Sequence, residues 1–376
     1  MKFRYHSQLH DAGLMQGYSR LLAGVMKEIK YVECNGFDGV WLGEHHLGPE
    51  GLANSPNPIL MLANIAGQTD FASYGLACVT APNWHPIRLA EDIAVLDHLC
   101  RGRLHIGFGR GVFPRDTAMF HPNGDCRKAE SRTLTGEVIE IAKKAWTEEF
   151  FSHSGQNFKF PSPGIPHHPW SPTEEPHVDS HGNITKICVV PKPLQRPHPP
   201  IWIMVAAESS ARLAAENGYN CIAAGTSFDI IRGWLDLYAD IRSRKEGRQF
   251  KRGECWSLQR PLFVARTMEQ AKQRFETYIR RQRQYQALYR GAKAAEYAKV
   301  TLGTASDWDW DLLQRTAMLA GSVDFVGEKI QEAADVGITA INVWSDCGGC
   351  PHELTMESFQ LFAEEVVPRF VQHAEG

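Results

Sequence analysis

The chain has 376 residues, which is long enough for one large α/β barrel or for two ordinary domains. Its formal net charge of -3 at pH 7 argues against nucleic acid or an anionic membrane as a partner. The N-terminal stretch has no apolar signal core, and no uninterrupted apolar segment is long enough to span a bilayer. Nine scattered cysteines, without the spacing of a disulfide framework, fit a reducing compartment, so we expect a cytoplasmic protein.

Apolar runs and helical patterns alternate along most of the chain. This alternation is typical of parallel strands joined by right-handed crossovers, and eight such units predict one (β/α)8 TIM-barrel domain over residues 1–376. The predicted strands are 3–9, 37–44, 75–81, 104–109, 201–206, 220–224, 255–264 and 338–344. The predicted helices are 17–35, 58–69, 86–99, 129–146, 209–217, 230–246, 268–288, 326–336 and 357–369.

Two stretches interrupt this alternation. Residues 151–200 are rich in Pro, His and Gly, and they predict an irregular insertion between the fourth and fifth strands. Strand-like pieces at 156–160 and 186–190 indicate a hairpin within it. Residues 289–322 follow the seventh strand and predict a mobile loop that serves as a lid.

Polar and glycine-rich groups follow the predicted strands at their C-terminal ends. Catalysis in a (β/α)8 barrel takes place at that end, so the contrast with the apolar strand interiors predicts a site there. The groups are Glu44-His45-His46, Thr80 to Asn83, Arg110-Gly111, Ala207 to Ser210, Ala224 to Thr226, Gln259-Arg260 and Trp344 to Asp346.

His45 and His46 are the candidates for acid–base chemistry. They are adjacent, so their side chains diverge on an extended backbone and make a poor chelating pair, and no metal-binding motif lies nearby. One of the two facing the barrel mouth would act as an acid or base near neutral pH. A purely structural role fits either histidine taken alone.

Two loops have the chemistry of an anion site. Three glycines bracket Arg110 in the segment 107–111, which fits either phosphate binding or a tight turn beside a salt bridge. Glu208-Ser209-Ser210 opens a helix directly after a strand, which fits either an anion or ordinary N-capping. Because the two loops follow neighbouring strands, we predict that they bind one phosphate of a planar cofactor.

Cys347 and Cys350 form the one closely spaced cysteine pair, with His352 just beyond. A redox or metal role needs a partner motif, and a plain glycine-rich loop explains the same residues.

Several segments, in this order and spacing, resemble the bacterial luciferase-like family of flavin-dependent monooxygenases over nearly the whole chain. They are GFDGVWLGEHH at 36–46, NP at 57–58, ANIAGQT at 63–69, HPIRLAED at 85–92, LD at 96–97, GR at 102–103, GFGRG at 107–111, AAES at 206–209 and FAEEVVP at 362–368.

The resemblance implies a barrel that binds reduced FMN at the C-terminal ends of its strands. It implies that Arg110, Glu208 and Ser209 hold the phosphate and that His45 is placed for proton transfer, with Glu44 and His46 beside it. It also implies a non-proline cis peptide bond at Ala77-Cys78. The remaining residues that it places at the cofactor are Thr80, Asn83, Gly109, Ala207 and Arg212.

Two positions depart from the light-emitting members of the family. Gly109 stands where those members carry a cysteine, so we do not expect light emission. Arg212 stands where they carry a small hydroxyl residue, and it either adds a second cation or points to solvent.

The resemblance implies a monooxygenase that uses reduced FMN and O2, through a flavin peroxide, to oxygenate a small organic substrate. A separate NAD(P)H:flavin reductase would supply the reduced flavin, because the chain has no nicotinamide fingerprint. The alternatives are an F420-dependent hydride-transfer oxidoreductase on the same fold and a non-catalytic flavin-binding relative. Relatives of this kind are typically homodimers or homotetramers.

Overall fold

The computed structural model describes residues 1–11, 16–51, 53–168, 170, 177–279, 310–316 and 318–371. These residues form two compact units. Unit 1 consists of Met1–Val79, His105–Phe108 and Pro200–Gly376, and unit 2 consists of Thr80–Leu104 and Gly109–Pro199.

Eleven strands occur in the described chain. They are β1 (Lys2–Ser7), β2 (Gly39–Leu42), β3 (Ser73–Thr80), β4 (Leu104–Gly109), β5 (His153–Ser154), β6 (Lys159–Phe160), β7 (Ile201–Val205), β8 (Asn220–Ala224), β9 (Trp256–Ala265), β10 (Leu319–Ser322) and β11 (Ala340–Trp344). All except β5, β6 and β10 form a closed parallel barrel in the order β1-β2-β3-β4-β7-β8-β9-β11. Apart from the end residues Thr80, Leu104 and Gly109, the barrel belongs to unit 1. The predicted (β/α)8 fold is confirmed.

Strand β10 was not predicted from the sequence. It pairs in parallel with the last four residues of β9, from Leu262 to Ala265. Most of the predicted lid, residues 289–309 together with 317, lies outside the described residues. The described remainder is helical over 310–316 and extended in β10.

The helices surround the strands in the predicted alternation. They are α1 (Tyr18–Glu33), α2 (Pro58–Ala66), α3 (Pro86–Leu99), α4 (Pro114–Ala118), α5 (Glu130–Thr147), α6 (Glu208–Asn217), α7 (Phe228–Glu246), α8 (Met268–Arg274), α9 (Trp310–Thr316), α10 (Val323–Val336) and α11 (His352–Leu361). Asn57 caps α2, accepting a 2.9 Å hydrogen bond from the Leu60 amide. The predicted helix 268–288 is observed as α8 and a π-helical turn to Ile279, beyond which lie undescribed residues.

The barrel interior of unit 1 is filled by aromatic rings around one arginine. The Arg4 guanidinium lies 4.9 Å from the Trp41 ring centroid and 5.6 Å from that of Trp202, and its Nε donates to Asp38 at 3.2 Å. Trp202 Nε1 donates to His105 Nδ1 at 3.1 Å. Cation–π contacts and an ion pair therefore offset the cost of burying a charge.

Gly75 on β3 leaves room for the buried Trp41 ring, because a Cβ atom at Gly75 would overlap that ring. Gly75→Ala is therefore expected to destabilise the fold by about 3 kcal/mol or more, since a rigid indole in a packed core cannot move aside. Urea unfolding measures this change. Gly233→Ala on α7 is the matched control, because it meets open space and is expected to stabilise by about 0.5–1 kcal/mol. Equal effects of the two substitutions would contradict the packing argument.

Unit 2 contains α3, α4, α5 and the insertion. Trp146 Nε1 on α5 donates to the Ala90 carbonyl on α3 at 3.0 Å, which ties the two helices together. The insertion has its hairpin in β5 and β6, and the predicted piece at 186–190 contributes a single bridge, Ile187 with Phe151. The hairpin is thus shorter than predicted, and further isolated bridges join Pro166 to Asn183 and Val178 to Ile184.

Glu137 on α5 anchors the turn that connects the two strands of this hairpin. Its carboxylate accepts hydrogen bonds from the backbone amides of Asn157 at 2.9 Å and Phe158 at 2.8 Å, and His153 Nε2 lies 3.0 Å away. Burial raises the pKa of Glu137, but the hydrogen bonds from Asn157 and His153 outweigh burial and leave the pKa lowered. Glu137 is therefore ionised at neutral pH.

Candidate active site

Glu44 and His46 form a hydrogen-bonded pair directly after β2. The His46 Nε2 atom lies 2.8 Å from Glu44 Oε1, and the Glu44 side chain is buried. Residues two apart on an extended segment point to the same side, so alternation predicts that His45 points to the other side. His45 is half-buried, and its amide donates to the Ser55 carbonyl at 3.0 Å. The contact between Glu44 and His46 agrees with side-chain alternation, the divergence of the two histidines stays a prediction, and His45 stays the candidate acid or base.

The peptide bond between Ala77 and Cys78 on β3 is cis, as the resemblance implies. The Cys78 side chain lies close enough to Glu44, which follows the neighbouring strand β2, for the two to interact electrostatically. Burial, followed by the negative charge of Glu44, raises the pKa of the Cys78 thiol to about 12. Cys78 is therefore a neutral thiol at physiological pH.

His6 and His10 bring two further imidazoles to the end of β1. Burial, followed by the charges of His10 and His45, lowers the pKa of His6 to about 3. Burial has the largest effect on His10 and lowers its pKa. The charge of Asp346 raises this pKa and the charge of His45 lowers it, which leaves it at about 4. Both rings are neutral at physiological pH, and both lie near His45.

The strand-end argument missed these two histidines because it was not applied to the first predicted strand. His6 and His10 flank its C-terminal end, so the same rule would have found them. The His6 ring centroid lies 5.2 Å from that of Trp344 on β11, and His6 Nε2 lies 3.1 Å from Gln259 Nε2 on β9. The set of polar side chains at this end of the barrel therefore includes residues from β1, β9 and β11.

The start of α6 in unit 1 has the geometry of an anion site. Ala207 is extended, and Ser210 Oγ accepts from the amides of Ala206 at 3.3 Å and Ala207 at 3.2 Å. This capping holds the first turn, in which the Glu208 and Ser209 amides precede the first intrahelical hydrogen bonds. Ser209 is exposed. The sequence singled out this turn but did not identify Ser210 as its cap.

Arg212 lies one turn further along α6 and pairs with Glu208. Its guanidinium is 3.4 Å from Glu208 Oε1, and both side chains are exposed. An exposed pair of this kind contributes little to stability. Of the two alternatives for Arg212, the structure shows a solvent-facing pair with Glu208.

Arg110 and its neighbours lie in unit 2. Burial, followed by the like charge of Arg132 on α5, lowers the pKa of Arg110. Gly111, with φ of 81°, adopts the left-handed conformation, and a side chain there would overlap Thr117 and crowd Thr80. Without a ligand, the positive charges of these two arginines repel one another. An anion bound near both would relieve that repulsion. Arg132 was not among the predicted residues, because it is remote from Arg110 in sequence.

Thr80, Asn83 and Gly109 also fall in unit 2. Thr80 is buried at the end of β3, Asn83 ends the short helical turn Ala81–Asn83, and Gly109 ends β4. Among the described residues, no group of three or more His, Cys, Asp and Glu side chains could hold a metal ion. No helix within the described ranges is both long enough and apolar enough to cross a membrane.

The family model described as luciferase-like monooxygenase matches residues 1–340 of this chain. The oxygenase component of a flavin-dependent trigonelline monooxygenase from Acinetobacter baylyi is 29% identical over 220 residues. That match covers 58% of this chain and spans about half, 53%, of the relative. The 4-hydroxyprotoasukamycin monooxygenase of Streptomyces nodosus subsp. asukaensis is 24% identical across 98% of this chain and 92% of that protein.

Solved structures share the fold. The oxygenating constituent of 3,6-diketocamphane monooxygenase from Pseudomonas putida, a type II Baeyer-Villiger monooxygenase in complex with FMN, has a TM-score of 0.74. It is 21% identical, and the match covers 99% of each chain. An F420-dependent secondary alcohol dehydrogenase has a TM-score of 0.69 at 16% identity, again with 99% coverage of each chain.

The chain is a parallel (β/α)8 barrel with titratable side chains at the C-terminal ends of its strands, which is where TIM-barrel enzymes have their active sites. The family match extends over most of the chain. The protein belongs to the luciferase-like monooxygenase family and is an oxidoreductase.

Proposed function

We propose that the protein is a flavin-dependent monooxygenase that uses reduced FMN and O2 to oxygenate a small organic substrate. A separate NAD(P)H:flavin reductase would deliver the reduced flavin, as the name of the trigonelline relative, an oxygenase component, suggests. The observation that carries the proposal is the set of titratable groups at the barrel end, which comprises His45, the neutral His6 and His10 near it, and the Glu44–His46 pair.

The residues present fit an FMN molecule. In unit 1 the open amides of α6 and the Ser209 hydroxyl suit its phosphate. In unit 2 the repulsion between Arg110 and Arg132 suits a phosphate equally well. Whether one phosphate is shared by Arg110 and Ser209 stays a prediction. We assign Ala77, Cys78, Thr80, Asn83, Gly109 and Ala207 to contacts with the remainder of the cofactor.

When bound, reduced FMN would supply the electrons and activate the oxygen. His45 would hold or release a proton at its imidazole. The neutral state of His6 and His10 keeps positive charge away from His45. The buried side chains at the ends of β1 and β11 would exclude water from the reacting atoms.

Anaerobic titration of the protein with FMNH2 tests this proposal. We expect saturable binding, and Arg110→Ala is expected to weaken it by about 1.5–3 kcal/mol, since it removes a charge-assisted contact. Arg88→Ala, which breaks exposed ion pairs with Glu91 and Asp92 in unit 2, is the control and should leave binding unchanged. A wild-type protein that binds no FMNH2 would refute the proposed function.

One observation favours a second candidate, the F420-dependent oxidoreductase. F420 carries a long acidic tail, and the Arg110–Arg132 neighbourhood offers two cations to it. The same titration performed with reduced F420 compares the two cofactors. Tight binding of F420 together with an Arg132→Ala defect specific to F420 would favour hydride transfer over oxygenation.

A further inference from the structure

The β5–β6 hairpin in unit 2 presents two phenylalanine rings side by side. Phe158 directly precedes β6 and Phe160 ends it, and residues two apart on an extended segment point to the same side. The two ring centroids lie 6.0 Å apart, and the ring planes are within 15° of parallel. Both rings are partly exposed. A single exposed apolar side chain is ordinary, whereas adjacent rings form a patch of the kind that binds a ligand.

Two imidazoles pack against these phenylalanines. The His85 ring centroid lies 6.0 Å from that of Phe158 and 5.5 Å from that of Phe160, with the ring planes at 81° and 71°. The His121 ring centroid lies 5.8 Å from that of Phe158. His85 is exposed and His121 is half-buried. We name His85, His121, Phe158 and Phe160 the aromatic quartet.

Both histidines of the aromatic quartet stand on loops that follow the C-terminal ends of strands. His85 follows the helical turn Ala81–Asn83, which continues from β3, and His121 follows α4, the first helix after β4. The same two loops begin at Thr80 and Arg110, which we assign to the cofactor. The loops after the strands of a (β/α)8 barrel form its active site. The aromatic quartet therefore lies at the end of unit 2 where the cofactor contacts are expected.

The hairpin reaches this end although the insertion begins at the opposite one. In a barrel of this kind each helix runs antiparallel to the strands, so the chain leaves α5 at Thr147 beside their N-terminal ends. Glu137, within α5, draws the hairpin back by accepting from the amides of Asn157 at 2.9 Å and Phe158 at 2.8 Å. Asn123 Nδ2, on the loop after β4, donates to Asn157 Oδ1 at 2.8 Å. These contacts hold the turn of the hairpin against the loops that carry the two histidines.

The aromatic quartet is uncharged at neutral pH. Partial burial lowers the pKa of His85 and of His121, and the charges of Glu91 and Glu137 respectively oppose this effect without reversing it. His121 Nδ1 accepts from the Asn123 amide at 3.0 Å, so the His121 proton resides on Nε2. The quartet thus offers π faces, ring edges and an imidazole N–H, and it offers no charge to a ligand. This chemistry suits a planar aromatic ring, which gains stacked and edge-to-face contacts as well as burial.

We propose that the aromatic quartet binds the ring of the substrate, so that this enzyme acts on planar aromatic compounds. The inference rests on the proposed function, because it names the substrate class of that reaction. Phe158 and Phe160 are the residues that determine this specificity. A saturated ring of the same size gains burial but no ring–ring contact, so it is expected to bind about tenfold more weakly.

NMR titration of the full-length protein, with and without FMN, tests the proposal with two probes. Benzyl alcohol and cyclohexylmethanol carry the same hydroxymethyl group and differ in the aromaticity of the ring. Benzyl alcohol is expected to shift the ring signals of His85 and His121 saturably, with a dissociation constant about tenfold below that of cyclohexylmethanol. Phe158→Leu keeps an apolar side chain and should bring the two constants together. Phe150→Leu is the matched control, since Phe150 stacks on His177 elsewhere in the insertion at 3.8 Å, and it should leave the preference intact.

The outcomes separate the aromatic quartet from the proposed function. Equal binding of the two alcohols to the wild type, or a preference that Phe158→Leu leaves unchanged, overturns the proposal and shows that the rings only pack the hairpin. If the Phe158 variant does not fold, Phe160→Leu removes the other ring and is judged in the same way. Normal FMNH2 binding without an aromatic preference overturns the quartet alone. An aromatic preference in a protein that binds no FMNH2 overturns the substrate role through the failure of the proposed function.

Discussion

Replacement of His45 by alanine is expected to lower oxygen-dependent turnover by about 10²- to 10⁴-fold with FMNH2 binding nearly unchanged, the range typical of a lost acid or base. The reason is positional. His46 is paired with Glu44, and His6 and His10 are held neutral by burial, so His45 is the imidazole at this end of the barrel that we assign to proton transfer. The loss of turnover is measured as the rate of product formation at saturating flavin over a range of pH.

His181→Ala serves as the control, because that ring is exposed in the insertion of unit 2. It should leave both binding and turnover as in the wild type. An His45 variant that binds FMNH2 and shows no change in any activity would instead support the non-catalytic, flavin-binding alternative.

Acidification from pH 7 to pH 5 is expected to destabilise the protein by several kcal/mol through His6 and His10. Their folded pKa values, about 3 and about 4, lie below the unfolded value of about 6.5. Between the folded and unfolded pKa values, the unfolded chain binds more protons than the folded chain. The contribution of the two histidines to stability is therefore fully present above the unfolded pKa and is lost as the pH decreases. Each histidine costs up to about 1.4 kcal/mol per pH unit in this window.

Urea unfolding at pH 7.5, 6 and 5 measures how the free energy of unfolding depends on pH. The His10→Asn substitution should make this dependence shallower by the contribution of one histidine. The pH range from 7 to 5 distinguishes stability lost through histidines from stability lost through carboxylates. Hydrogen bonding and charge from Arg127 lower the pKa of Asp125 to about 2, so its contribution is present above the unfolded carboxyl pKa and is lost only at lower pH. A slope unaffected by His10→Asn would show that the titrating groups lie elsewhere.

The barrel could be predicted from sequence because every strand of a buried parallel sheet is a nearly continuous apolar run. The site at its end followed from the polar residues after each run. Strand β10 escaped prediction because Leu319–Ser322 is short and has no strong strand pattern. The pairing of His46 with Glu44 required only side-chain alternation, whereas the neighbours of His45 come from β1, more than thirty residues earlier in the chain.

Contacts between distant segments were beyond prediction for the same reason. Arg132 approaches Arg110 from α5, and His352 reaches Glu28 from the far end of the chain. Nothing in the local sequence of either residue marks the contact, because it depends on how helices pack on the barrel. Local pattern identified the strand-end residues, and tertiary packing decides the protonation of the histidines at the end of β1.

The anchoring of the β5–β6 hairpin by Glu137 bears on how this protein can diversify. One carboxylate fixes the root of the insertion through His153, Asn157 and Phe158, close to where the segment leaves α5. Residues beyond that root can be exchanged, lengthened or grafted from a relative while the root keeps its geometry. The insertion can therefore change in length and sequence beyond this root more readily than the strands of the barrel can.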